Sequence, residues 1–146
     1  MNPELLFKAA NMAVLPGWLL LIIIPGHRLT RALVHSGTLP LAFALLYTAL
    51  LLGNMQGAEG GFSTLAGVSA LFKNPWLLLA GWVHYLAFDL FTGAWIARDS
   101  LERGISLWFR LPCLAATFLA GPMGLLLYFL IRFGYDSFRK SRGRKQ

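Results

Sequence analysis

Between Gly81 and Asp99 an apolar run long enough to cross a bilayer holds His84, Tyr85 and Asp89 near its middle. An ionised Asp at the centre of a membrane helix costs roughly 2.5–3.5 kcal/mol on insertion scales. A carboxyl placed there either bonds to a neighbouring helix as the protonated acid or exchanges protons in a dry pocket. Mid-span carboxyls favour the second role. At ~100° per residue, Trp82, Tyr85, Asp89 and Gly93 share one helical stripe, so the Tyr85 hydroxyl sits one turn from the carboxyl. His84 precedes Asp89 by five residues, ~140° around the helix, and cannot easily pair with it on one straight helix. It shares a stripe with Phe88, Phe91 and Trp95, a face suited to a neighbouring helix or a flat apolar ligand.

Other chemistries fail for want of residues. The three histidines, His27, His35 and His84, include no pair at the i, i+3 or i, i+4 spacing that seats two ligands on one metal, so no metal site is expected. Cys113 stands alone and reads as a small core residue. There is no phosphate-cradling glycine pattern before a helix and no nucleophilic serine motif.

A second feature is Gly121-Pro122. Pro122 has no backbone N–H to offer the Phe118 carbonyl, so a kink is expected there. Ala116, Ala120 and Gly124 carry the small-xxx-small spacing that lets another helix approach closely. Arg98 and Asp99 close the third apolar run at the interface, where Arg98 snorkels to pair with Asp99, Glu102 or lipid phosphate.

The elements that must position these groups are membrane helices. The chain is 57% hydrophobic and 13% charged, too little polar surface for a soluble domain of 146 residues. Four runs, at about 5–24, 39–55, 76–96 and 111–133, suit a hydrocarbon core of ~30 Å. Pro25-Gly26 ends the first, and His27, Arg28, Arg31 and His35 form a short basic loop. Residues 62–72 are too short to span and read as an interfacial helix, after which Asn74-Pro75-Trp76 opens the third run. The expected fold is an all-α membrane protein: a four-transmembrane-helix bundle with a short interfacial helix between spans two and three. It forms a single domain over 1–138 with a basic tail at 139–146.

The net charge of +7 comes mainly from that tail, whose natural partners are membrane lipids with anionic headgroups; no nucleic acid partner is expected. Met1-Asn2-Pro3-Glu4 has neither the basic n-region of a signal peptide nor an Arg- and Ser-rich transit leader, which favours a bacterial inner membrane. With four spans, loop charges do not settle orientation. Lys8, Lys73, Arg132, Arg139, Lys140, Arg142, Arg144 and Lys145 fall on one side, against Arg28, Arg31, Arg98, Arg103 and Arg110 on the other.

The run Gly81-Trp-Val-His-Tyr-Leu-Ala-Phe-Asp-Leu-Phe-Thr-Gly-Ala-Trp95, followed by Arg98-Asp99, resembles the signature of the abscisic acid deficient four (ABA4-like) family. Gly121-Pro-Met-Gly-Leu-Leu-Leu-Tyr128 resembles that family's last helix. In plants the family is required to form neoxanthin from violaxanthin, an epoxy-carotenoid. The resemblance therefore implies a redox-neutral opening of an epoxide to an allene and an alcohol, with no cofactor. An acid must protonate the epoxide oxygen and a base must remove a carbon-bound proton. On this reading Asp89 is acid or base, His84 and Tyr85 assist, and Trp82, Phe88, Phe91 and Trp95 line a carotenoid or other isoprenoid substrate. The alternative is a non-catalytic pigment- or lipid-binding assembly factor. A small transporter is disfavoured by the single mid-span carboxyl and the lack of an internal repeat. Four short helices enclose little volume, which suits a homodimer sharing a groove.

Overall fold

A computed structural model describes residues 2–143, with side chains through 139. Helix α1, Pro3–Ile23, starts where the Asn2 side chain accepts the Glu4 N–H at 2.9 Å and Pro3 supplies a pre-set φ. Pro25-Gly26 ends it, and the carbonyls left over are taken up by side chains. The Thr30 hydroxyl donates to the Ile24 carbonyl at 2.6 Å, and His35 Nε2 lies 2.9 Å from the Pro25 carbonyl. The expected basic loop is therefore helical. Arg28–Thr30 forms a turn, α2, and Arg31–His35 a π-helical turn. Gly37, at φ 86°, then leads into α3, Thr38–Met55.

The short helix between spans two and three is present as α4, Leu65–Leu71, capped by Thr64 Oγ1 accepting the Gly67 N–H at 3.0 Å. Helix α5, Pro75–Arg103, is 29 residues long and runs past residue 96. The charged residues at 98–103, read from the sequence as a loop, are its last turns, because Ala97 and Ser100 still face the interior. Gly104, at φ 71°, caps it. Asp89 stands fourteen residues from either end of α5, at the middle of the longest helix.

Three helical segments, Pro3–Ile23, Arg28–Met55 and Pro75–Arg103, are long and apolar enough to cross a membrane. Phe7 meets Trp82 and Trp18 lies over Gly93, so α1 and α5 run in the same direction. Tyr47 meets His84 while Pro40 and Leu41 share a cavity with Phe91, so α3 runs the opposite way. Close backbone approach sets the packing, as expected where lipid removes most hydrophobic drive between helices. A Cβ at Gly93 would come 2.7 Å from the Trp18 ring, and one at Gly17 would come 3.1 Å from Leu90.

The fourth apolar run departs most from expectation. Residues 111–133 do not form one kinked span; they belong to two helices, α6 (Leu107–Ala120) and α7 (Pro122–Gly143), that fold back on each other. Gly124 of α7 packs directly against Thr117 and the Cys113 carbonyl of α6, so closely that no Cβ fits. Phe118 reaches Trp18 near the level of Gly93, whereas Tyr128 hydrogen-bonds Asp99 and Tyr135 hydrogen-bonds the Gly104 carbonyl. The pair thus enters beside the end of α5, turns at Gly121 near its midpoint and returns. Pro122 opens α7 at a position where its missing N–H costs nothing, rather than kinking a continuous helix. Gly124, one of the small residues read as a docking stripe, closes this hairpin.

The hairpin also changes the charge pattern. Among the described side chains, Arg28, Arg31, Arg98, Arg103, Arg110, Arg132 and Arg139 lie toward the end where α5 finishes, with Lys8 and Lys73 toward the other. Asn2 and the end of α7 lie at opposite ends of the bundle, not on one side as four spans require. The expected tail begins as part of α7, and residues 144–146 lie outside the described residues.

Candidate intramembrane active site

Helix α5 presents Asp89 to the turn of the hairpin. His84, Tyr85, Phe88, Asp89 and Thr92 from α5 and Gly121, Pro122 and Leu125 from the turn line a cavity of about 370 Å³. Gly121 lies against the Asp89 carboxyl, where any side chain would overlap Oδ1. Among the described residues, no hydrogen bond or ion pair engages that carboxyl. Two helix ends meet there, and the Gly121 carbonyl at the turn accepts the Gly124 and Leu125 N–H groups at 3.1 and 3.3 Å. Tyr85 and Phe88 are more than half exposed, so the cavity opens sideways, toward lipid.

His84 and Asp89 lie on different faces of α5, yet both border this cavity. The His84 ring is held 5.3 Å from Tyr47 of α3 and 4.6 Å from Phe88. The Tyr85 ring stands 6.4 Å from that of His84. The three residues expected to carry chemistry are thus neighbours, and the expected kink residues Gly121 and Pro122 form the opposite wall.

The other aromatic residues separate. Trp82 donates its indole N–H to Asn11 Oδ1 at 3.0 Å and lines an adjoining cavity of about 440 Å³ with Phe7 and Tyr85. Phe91 borders a third cavity of about 360 Å³, shared with Phe88 and α3. Trp95 is away from all of these, edge-to-face with Tyr128 and tilted against Phe129, with the Arg132 guanidinium 5.7 Å from its ring centre. The expected continuous face of Phe88, Phe91 and Trp95 is divided because α7 packs on Trp95 while Phe88 and Phe91 stay more than half exposed beside α3.

Arg98 and Asp99 also divide. Arg98 reaches the His35 carbonyl at 3.5 Å. Asp99 is largely buried and accepts from Arg103 Nε at 2.8 Å and from the Tyr128 hydroxyl at 2.6 Å, with Arg132 Nε at 3.6 Å. Arg103 also bridges to Asp136 at 2.9 Å. This network clamps α7 to α5, and the sequence reading missed it. Its signal is visible in hindsight: Tyr128, Arg132 and Asp136 recur every four residues, as do Asp99 and Arg103, so each set falls on one helical face. No group of three or more His, Cys, Asp or Glu side chains able to hold a metal ion occurs among the described residues.

Among the described residues the chain is all-helical, with three helices long and apolar enough to cross a membrane and a cavity beside the central carboxyl of the longest, which is the make-up of a helical membrane protein. The family model described as ABA DEFICIENT 4-like matches residues 5–128, and the chain belongs to this ABA4-like family. It is 26% identical over 134 residues to Protein ABA DEFICIENT 4, chloroplastic, of Arabidopsis thaliana, covering 86% of this chain and 60% of that protein. The chain therefore spans about 60% of the length of the curated relative. No solved structure matches. The relative is named as chloroplastic, so the comparison lends no support to a bacterial inner membrane.

Proposed function

We propose that this protein is a cofactor-free intramembrane isomerase that opens the epoxide of an epoxy-carotenoid or another isoprenoid lipid to an allene and an alcohol. The reading is carried by the uncommitted Asp89 carboxyl in a lipid-facing cavity that also holds His84 and Tyr85. The reaction adds one proton to the epoxide oxygen as its C–O bond breaks. A second proton leaves the adjacent carbon, and its bonding pair forms the new double bond. Nothing is oxidised or reduced, so one acid and one base suffice. Asp89 supplies one of these functions and His84 or Tyr85 the other. A cavity that opens to lipid instead of water suits the step, since it shields a developing carbocation from hydrolysis.

The test is to incubate membranes containing the wild-type protein, or its Asp89→Asn form, with epoxy-carotenoids and shorter isoprenoid epoxides. A same-mass product with shifted absorption is expected from wild type alone, with turnover falling about 10²–10⁴-fold on substitution. Equal product from both proteins would remove Asp89 from the chemistry. Pigment that co-purifies unchanged with both would favour the assembly-factor reading.

A further inference from the structure

The hairpin fills only half the length of one α5 face. From Asp89 to Arg103 this face is covered by α6 and α7 through the Gly121, Tyr128 and Asp136 contacts. From Pro75 to Asp89 the same face stays open, and two cavities follow it. The larger is lined by Asn2, Glu4, Pro75, Leu78, Trp82 and Tyr85. The second holds Tyr85, Asp89 and the hairpin turn. Tyr85 borders both, and the exposed stripe of Leu78, Trp82 and Tyr85 leads along α5 from the first to the second, where Asp89 lies. It begins among polar groups at the bundle end and stops at the carboxyl, where Gly121 and Pro122 close it.

The length of this groove restricts what can occupy it. Fourteen residues of helix separate Pro75 from Asp89, a rise of ~21 Å. That is about one leaflet: half of a ~30 Å hydrocarbon core plus part of a headgroup layer. Resting on the isomerase reading, we infer that the substrate is a single-leaflet isoprenoid amphiphile. Its polar end sits near Asn2 and Glu4, and its reactive group lies ~20 Å along the chain, at Asp89. Of the two substrate classes proposed above, this selects the shorter isoprenoid epoxides over a bilayer-spanning epoxy-carotenoid, the second half of whose path along this face the hairpin occupies. The substrate enters from the leaflet on the α4 side, the end opposite the arginine cluster.

The groove is tested by photolabelling the full chain in phosphatidylcholine vesicles. The probes are isoprenyl alcohols of graded length, each with a diazirine at the end far from the hydroxyl, and sites are mapped by mass spectrometry. The probe of ~20 Å reach should label residues 84–92 and 121–125, and shorter probes should label 75–82 and the start of α1. Gly81→Leu, at a position bordering the larger cavity, should cut labelling near Asp89 at least tenfold, while Leu52→Trp on exposed α3 surface leaves it unchanged. If Gly81→Leu does not fold, Leu78→Trp obstructs the same groove. Labelling spread evenly over exposed residues such as Leu45, Leu52 and Leu126 would overturn the inference. So would equal labelling near Asp89 by a bilayer-spanning probe. Labelling as expected without turnover of any epoxide would keep the groove and remove the isomerase. Turnover with no groove labelling would do the reverse.

Discussion

Gly121 sits against the Asp89 carboxyl with no room for even a methyl group between them. A carboxyl that costly to bury is thus walled by the one residue type that lets the backbone of a helix turn come so near. Gly121→Ala is expected to push the turn away from α5. Overpacking of this kind costs about 1–3 kcal/mol. Helical content by circular dichroism should be retained while Asp89-dependent turnover falls at least tenfold. Unchanged turnover would show that the approach of the turn is not needed for chemistry.

The Asp99–Tyr128 hydrogen bond, at 2.6 Å, holds α7 to α5 and so keeps the turn in place from a distance. Tyr128→Phe should destabilise the protein by about 1.5–3 kcal/mol, the range for a hydrogen bond to a charged group. Asp99→Asn and Tyr128→Phe should be less than additive in a double-mutant cycle read by thermal denaturation in detergent. Strict additivity would mean that the two side chains contribute independently.

The rim of the Trp18 ring packs directly against Gly93, and this contact seats α1 on α5. Gly93→Ala places a Cβ 2.7 Å from that ring and is expected to lower stability by about 1–3 kcal/mol, with catalysis per folded molecule unchanged. Trp18→Leu in the same chain should recover part of the loss. No recovery would place the strain elsewhere.

Three spanning-length helices and a returning hairpin put Asn2 and the end of α7 on opposite sides. The cluster of arginines at the α7 end predicts that this end stays on the side where basic loops are retained during insertion. Single cysteines at Asn2 and Ser137, in a Cys113→Ala background, should react with a membrane-impermeant thiol reagent from opposite faces of sealed vesicles. Reaction of both from one face would restore the four-span arrangement.

Much of this protein is readable along the chain because membrane helices announce themselves locally. Asn2, Asn74 and Thr64 mark helix starts, Pro25 and Gly104 mark stops, and the hydrophobic runs are long. The His84, Tyr85 and Asp89 group stands out for the same reason, since polar residues in such a run are expensive. Boundaries were less legible. The arginines near residue 28 and from 98 to 103 look like loops, yet they belong to helices whose other faces stay buried.

The sequence by itself determined the helices, the polar centre of α5 and the family. Tertiary structure alone decided that the last apolar run doubles back, that Gly121 and Pro122 belong to the Asp89 cavity, and that Trp95 does not. Periodicity fixes which residues share a face of one helix but not which helix that face meets. A proline kinking a span and a proline opening the second arm of a hairpin read the same locally. What separates them is whether Gly124 packs on Cys113 and Thr117, a contact between helices that no single helix encodes.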